Sequence, residues 1–287
     1  MKTNAFVRQL ASNKRTVREN AIETLKKFLS SKEKANKINI MELNKLWKGL
    51  FYSMWFCDKS RPQQRLANQL AKLFSECIID EQFCNFVESF WNIMNKEWKE
   101  LDKWRIDKFL MLMRYVIRES FVKLDSLNWD EKFVNSYLKV LTNVVLRDDI
   151  KVPRSITFHI VDVWVDELEN TLFPSEEDEE EDGSEEKEEK KQESDDDRIE
   201  TRKNILKEKK IPIEILLHPF KQLSGKGHNE ALVNKIRIEI LEDERLLELN
   251  VDTSLPKATN TNSNEGSDSE EEQEEEEEEE EWKGFGN

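Results

Sequence analysis

Three observations place this chain in the all-α class, as stacked helical hairpins of a HEAT-like solenoid or as an irregular helical bundle. Its 287 residues include only 7 Gly and 6 Pro, where average usage would supply about 20 and 14, and a turn-rich sandwich or barrel needs more of both. Apolar residues recur at helical spacing through most of the chain. The stripes begin near positions 16, 39, 62, 81, 102, 128 and 153, so helix pairs return every ~40 to 50 residues, the period of HEAT-type repeats. No residue-level repeat accompanies that spacing, which keeps the irregular bundle open.

The elements follow in order. Thr16 and Glu19 have capping-box spacing ahead of Ala21, Ile22, Leu25, Phe28 and Leu29. Asn39 is suited to cap a helix bearing Leu43, Leu46, Trp47, Leu50, Phe51 and Met54, and Pro62 suits the first turn of one bearing Leu66, Leu70, Leu73 and Phe74. Further stripes run Phe83, Phe86, Val87, Phe90, Trp91, Met94, then Phe109, Leu112, Met113, Val116, Ile117, then Phe133, Val134, Tyr137, Leu138, Leu141. Pro153 precedes a helix bearing Ile156, Ile160, Val163, Trp164 and Leu168, and residues 212–224 and 229–249 supply two more. Nine or ten helices are expected.

The formal net charge of −16 comes from 45 Lys+Arg against 61 Asp+Glu and is unevenly spread. Residues 1–173 carry 29 basic and 23 acidic side chains, and 198–250 carry 11 and 9. Residues 174–197 carry 3 basic and 15 acidic groups, and 251–287 carry 2 and 14. Those two segments have almost nothing to bury, so ordering them is not compensated. The expected organisation is a helical-repeat core at 1–173, a disordered acidic insert at 174–197, helices completing the core at 198–250, and a disordered acidic tail at 251–287.

Catalysis finds little footing. His159, His218 and His228 lie far apart without a second ligand or nucleophile at helical spacing, and Gly225-Lys226-Gly227 lacks the frame of a phosphate-binding loop. Cys57, Cys77 and Cys84 form no CxxC pair, which fits neither a disulfide framework nor a zinc knuckle and suits a reducing compartment. No apolar run is long enough for a membrane span, and MKTNAFVRQLASNKR lacks a signal-peptide core. A soluble, non-enzymatic chain without cofactor, metal, membrane or small-molecule substrate is expected.

Binding finds more. The first 72 residues hold 16 basic against 5 acidic groups, an excess that attracts phosphates in a salt-dependent way. Lys14, Arg15, Arg18, Lys26 and Lys27 are the candidate RNA-backbone contacts, the competing reading being a solvated helix face. No sequence-reading RNA motif is present. Trp47, Trp91 and Trp164 lie on apolar stripes and belong to the core. Trp55 and Trp98 sit at stripe ends beside charged residues, so Trp55 with Asp58 and Lys59, and Trp98, are candidate partner contacts. Trp282 and Phe285, after the last glutamate run, suit a short docking peptide. Ser175, Ser194, Ser267 and Ser269 each have an acidic residue three positions on, the pattern favoured by acidophilic casein-type kinases; solubility is the competing role of these segments.

The stretch LWKGLFYSMWFCDK at 46–59 resembles the signature of the eukaryotic nucleolar ribosomal RNA-processing protein 1 family. FWNIMNKEWKELDKWRIDKFLMLMRYVIRES at 90–120 and HIVDVWVDEL at 159–168 agree with it, 211–249 more weakly, and the short length points to the compact fungal form. The resemblance implies a nuclear, nucleolar, non-enzymatic assembly factor of the large ribosomal subunit, needed for rRNA processing. Its implied partners are pre-rRNA of the large subunit and other assembly factors, and ribosomal proteins are a further candidate partner suggested by the acidic segments. The competing class is an acidic chaperone or transport adaptor for basic ribosomal proteins; a nuclease would need a carboxylate cluster on a folded face.

Overall fold

The computed structural model describes residues 3–10, 12, 14–174, 195–225 and 227–255. Among them are thirteen α-helices and no strand. In chain order these are α1 (Thr3–Leu10), α2 (Arg15–Leu29), α3 (Lys32–Ala35), α4 (Ile40–Trp55), α5 (Ser60–Lys72), α6 (Asp80–Glu97), α7 (Ile106–Ser126), α8 (Glu131–Val144), α9 (Arg154–Leu172), α10 (Asp195–Lys209), α11 (Ile213–Leu223), α12 (Glu230–Ile236) and α13 (Glu244–Glu248). α1, α4, α6, α8 and α11 pack in that order as one layer. In the second layer α5, α7, α9 and α12 pack in order, with α2 against the π-turn Leu73–Cys77 that extends α5. Packing on the helix two places along is the contact pattern of stacked hairpins, so the solenoid prevails over the irregular bundle.

The core lies between the layers. Trp47 of α4 packs on Phe74, and on Phe86 and Phe90 of α6, at 4.9–5.5 Å between ring centroids, while Phe51 stacks on Phe109 of α7 at 4.3 Å. Farther along, Trp164 of α9 meets Phe121 of α7 and Phe220 of α11 edge-on. Trp47, Trp91 and Trp164 are buried, as their stripes predict, and their indole N–H groups have no hydrogen-bond partner among the described residues, so they serve as apolar bulk.

Several local expectations hold and several do not. Asn39 caps α4, accepting from the Glu42 amide at 3.0 Å, and Glu42 returns the bond to the Asn39 amide at 3.2 Å. Thr16 is no cap: α2 already begins at Arg15, and Glu19 pairs with Arg15 at 2.6 Å instead. The segment 229–249 is not one helix, because a π-turn at Arg237–Leu241 ends α12 and Asp243 caps α13 by accepting from the Arg245 amide. α1, α3 and α10 have no counterpart among the expected helices. α10 begins inside the expected acidic insert, and at the other boundary Val251 packs on the core, so the folded part runs past 250. Residues 175–194 and 256–287 lie outside the described residues, and with them Ser175, Ser194, Ser267, Ser269, Trp282 and Phe285.

Candidate nucleic-acid interface

A cluster of three arginines lies where α2 faces α5, and one of them, Arg15, is already paired with Glu19 at 2.6 Å. Arg15 and Arg18, from the first turn of α2, and Arg65 of α5 line a groove of about 120 Å³ floored by Ile22, Cys57, Pro62 and Leu66. Arg18 is held in place by donating to the Ser12 carbonyl at 2.7 Å. No carboxylate among the described residues pairs with Arg61, Arg65, Lys14 or Lys27, whereas Lys26 pairs with Glu23 at 3.5 Å. The five basic residues picked from sequence therefore do not form one patch. Lys14, Arg15 and Arg18 stand at the start of α2, and Lys26 and Lys27 stand near its end, roughly 15 Å away at the α-helical rise. Arg65 completes the near group, and only the fold brings it beside Arg15 and Arg18.

The aromatic signature at 46–59 has a structural use. The carbonyls at the end of α4 need donors, and α7 supplies them. The buried Lys108 ammonium donates to the Trp55 carbonyl at 2.7 Å and the Cys57 carbonyl at 2.9 Å, with Asp58 at 3.7 Å. Burial pushes the Lys108 ammonium below the ordinary lysine range, opposed by Asp58. The Arg105 guanidinium lies 4.9 Å from the Trp55 ring centroid. Trp55 is thus half-buried against Phe51, Tyr52 and Arg105, while Asp58 and Lys59 stay exposed.

Trp98 departs from expectation. It is only 9% exposed and its indole N–H donates to Ser155 Oγ at 2.8 Å, so it joins the α6 end to α9 and is closed to a partner. A stripe end beside charged residues was misleading because the 3₁₀ turn after α6 swings the ring inward. The adjacent Glu97 is buried too, accepting from the Tyr52 hydroxyl at 3.0 Å and pairing with Lys48 at 2.9 Å. Among the described residues the most exposed aromatics are others: Phe56 at 64% and Trp104 at 81%. Both lie in turns between helices, and their apolar character off any stripe was the available signal.

The histidines remain apart. His159 bonds the Leu110 carbonyl at 2.9 Å and is pushed below the ordinary histidine range by burial; His218 contacts Gln222, and His228 contacts Asp148 at 3.7 Å. Among the described residues no group of three or more His, Cys, Asp or Glu is placed to hold a metal, and no helix is long and apolar enough to cross a membrane.

A family model described as "Nucleolar protein, Nop52" matches residues 1–285. The human protein named "Ribosomal RNA processing protein 1 homolog B" is 37% identical over 165 residues, which is 57% of this chain and 22% of that protein. The Caenorhabditis elegans protein named "Ribosomal RNA processing protein 1 homolog" is 30% identical over 164 residues, 57% of this chain and 41% of its own length. The Drosophila melanogaster protein of that name is 30% identical over 166 residues, 57% of this chain and 24% of its own length. The matched chain thus covers between about a fifth and two-fifths of these relatives.

Proposed function

The chain belongs to the Nop52 family of nucleolar proteins, and from that premise we propose that it is a non-enzymatic scaffold of ribosome biogenesis, acting in rRNA processing on the precursor of the large subunit. In this reading the solenoid core, from α1 to α9 with α10 to Val251, holds pre-rRNA and neighbouring assembly factors. The observation that supports it best is the α2–α5 groove, where Arg15, Arg18 and Arg65 converge and Glu19, paired with Arg15, is the one carboxylate in the lining. Guanidinium groups in such a groove bind phosphate oxygens without reading bases, which suits a protein that stabilises a folded RNA intermediate.

The test is direct. Arg15→Gln, Arg18→Gln and Arg65→Gln together should weaken RNA binding and lower its salt dependence, because each lost phosphate contact releases fewer counterions. In cells the triple variant should accumulate unprocessed precursor. Unchanged RNA affinity and salt slope, with recovery of free basic ribosomal proteins on crosslinking, would favour the acidic-chaperone reading instead.

A further inference from the structure

We propose that the edge of the solenoid on which each first-layer helix hands over to its second-layer partner is a track for single-stranded RNA, with Phe56 and Trp104 as base-stacking platforms between cationic turns. The layer order puts the turns α1–α2, α4–α5, α6–α7 and α8–α9 side by side on that edge. Adjacent helices pack about 8–10 Å apart, so the four turns extend over roughly 25–30 Å.

Charge along this edge is one-sided. Residues 11–18, 55–65, 96–108 and 145–154 hold fourteen basic against seven acidic side chains. Most of those acids are already answered from within: Asp58 by Lys108, Glu97 by Lys48, Asp102 by Arg105 and Asp149 by Arg147. Lys59, Arg61, Arg65, Lys96, Lys99 and Lys151 have no carboxylate partner among the described residues. Beyond the α2–α5 groove, Lys96, Lys99, Arg147 and Lys151 line an open cleft of about 470 Å³ together with the amides of Asn92 and Asn143. On the opposite edge two connections, residues 73–81 and 125–131, contain six acids and no base, while the α2–α4 connection carries Lys32, Lys34 and Lys37 against Glu33.

The aromatics decide what kind of polyanion fits. Phe56 and Trp104, 64% and 81% exposed, occupy adjacent turns of the edge, the second with the Lys103 ammonium 4.8 Å from its ring centroid. Single-strand binders combine a cationic groove with isolated rings on which bases stack, and stacking is indifferent to sequence. A protein partner would want a contiguous apolar centre depleted of lysine, and these rings are set singly among lysines and arginines. A duplex keeps its base faces hidden and gains nothing from the rings.

This inference rests on the RNA reading above, and the test separates the two. The full-length protein is titrated with a labelled, unstructured pyrimidine-rich RNA oligonucleotide and with its duplex. Phe56→Ala with Trp104→Ala should weaken single-strand binding by roughly ten- to a hundredfold with the salt slope unchanged. Lys96→Gln, Lys99→Gln and Lys151→Gln together should flatten the slope by about 0.7 per lost contact. Phe56→Trp with Trp104→Phe, which keeps the rings, should bind like the parent and controls for misfolding. The track is overturned if duplex binds as well as single strand, if the alanine pair leaves affinity unchanged, or if that pair releases a protein from precursor particles while RNA affinity persists. Loss of binding only in the Arg15/Arg18/Arg65 variant leaves the RNA function standing without the track. Absence of RNA binding by the parent protein defeats both.

Discussion

Between α4 and α7 the layers are joined by rings, with Trp47 packed on Phe74, Phe86 and Phe90, and Phe51 stacked on Phe109. From α7 to α13 rings still contribute, through Trp164, but the distinctive joints are guanidinium–carboxylate pairs. The fully buried Glu167 of α9 takes Arg114 and Arg118 from α7. Arg245 of α13 pairs with Asp243 at 2.7 Å, Glu169 at 2.7 Å and Asp166 at 3.1 Å, and Arg202 of α10 reaches Glu169 at 2.8 Å. Hydrogen bonding to Asp243 raises the Arg245 guanidinium still further above its ordinary range. Apolar packing holds one part through bulk that has no alternative in water, whereas the other part leans on groups that water also satisfies. The first should be the firmer anchor, and the second the more easily opened.

The largest expected effect is in the ring-joined part. Trp47→Ala should cost about 3–5 kcal/mol through the cavity it leaves, lowering the melting temperature by roughly 10 °C for a domain of this size. A shift of a degree or two would break the comparison. Glu167→Ala comes next. It takes a buried carboxylate from Arg114 and Arg118, but Arg114 keeps Asp166 at 3.3 Å and both guanidiniums are over a third exposed, so about 1–3 kcal/mol is expected from thermal unfolding. Arg202→Ala should cost at most about 1 kcal/mol globally; its signature is faster hydrogen exchange in α10 with α4–α7 unchanged. Equal acceleration in both regions would mean that they open as one unit.

Acid should act on the α7–α9 joint. Burial lowers the His159 pKa from 6.5 in the folded protein, so as pH falls below about 6.5 the unfolded chain takes up the proton first. Stability is therefore lost from that point downward and levels off below the folded value. His159→Gln should flatten this part of the stability–pH curve, and denaturant titrations across the range would reveal it. The smallest effect is expected from deleting 175–194 and 256–287: helical ellipticity per remaining residue and melting temperature should be unchanged, since those segments hold few apolar residues. A fall in either would show that the core is incomplete without them.

The same contrast explains what was legible. Trp47, Trp91 and Trp164 declare themselves because burial of large apolar side chains imposes a 3.6-residue period on sequence. α10 carries no such period: DDDRIETRKNILKEK is held by Arg202, by Leu206 on the core and by Lys209 on Asp125 at 3.0 Å. A charge that pairs across the fold looks in sequence like one that faces water. For that reason the sequence makes Trp98 look like an exposed anchor when it is buried, and does not reveal that Trp55 is half covered. Their neighbours are charged, but Lys108 and Arg105 reach Trp55, and Ser155 reaches Trp98, from fifty or more residues away.

By itself the sequence determined the helical class, the hairpin spacing, the core rings and the basic excess of the N-terminal part, because each is a local or compositional property that burial and charge write directly into the chain. Tertiary structure alone decided which cations share a groove, splitting Arg15 and Arg18 from Lys26 and Lys27 and joining them to Arg65. It also decided which aromatics face water, closing Trp98 and leaving Phe56 and Trp104 open. The reason is geometric: periodicity specifies which face of a helix is buried, but only the packing of one hairpin on the next determines where the turns between helices come to rest.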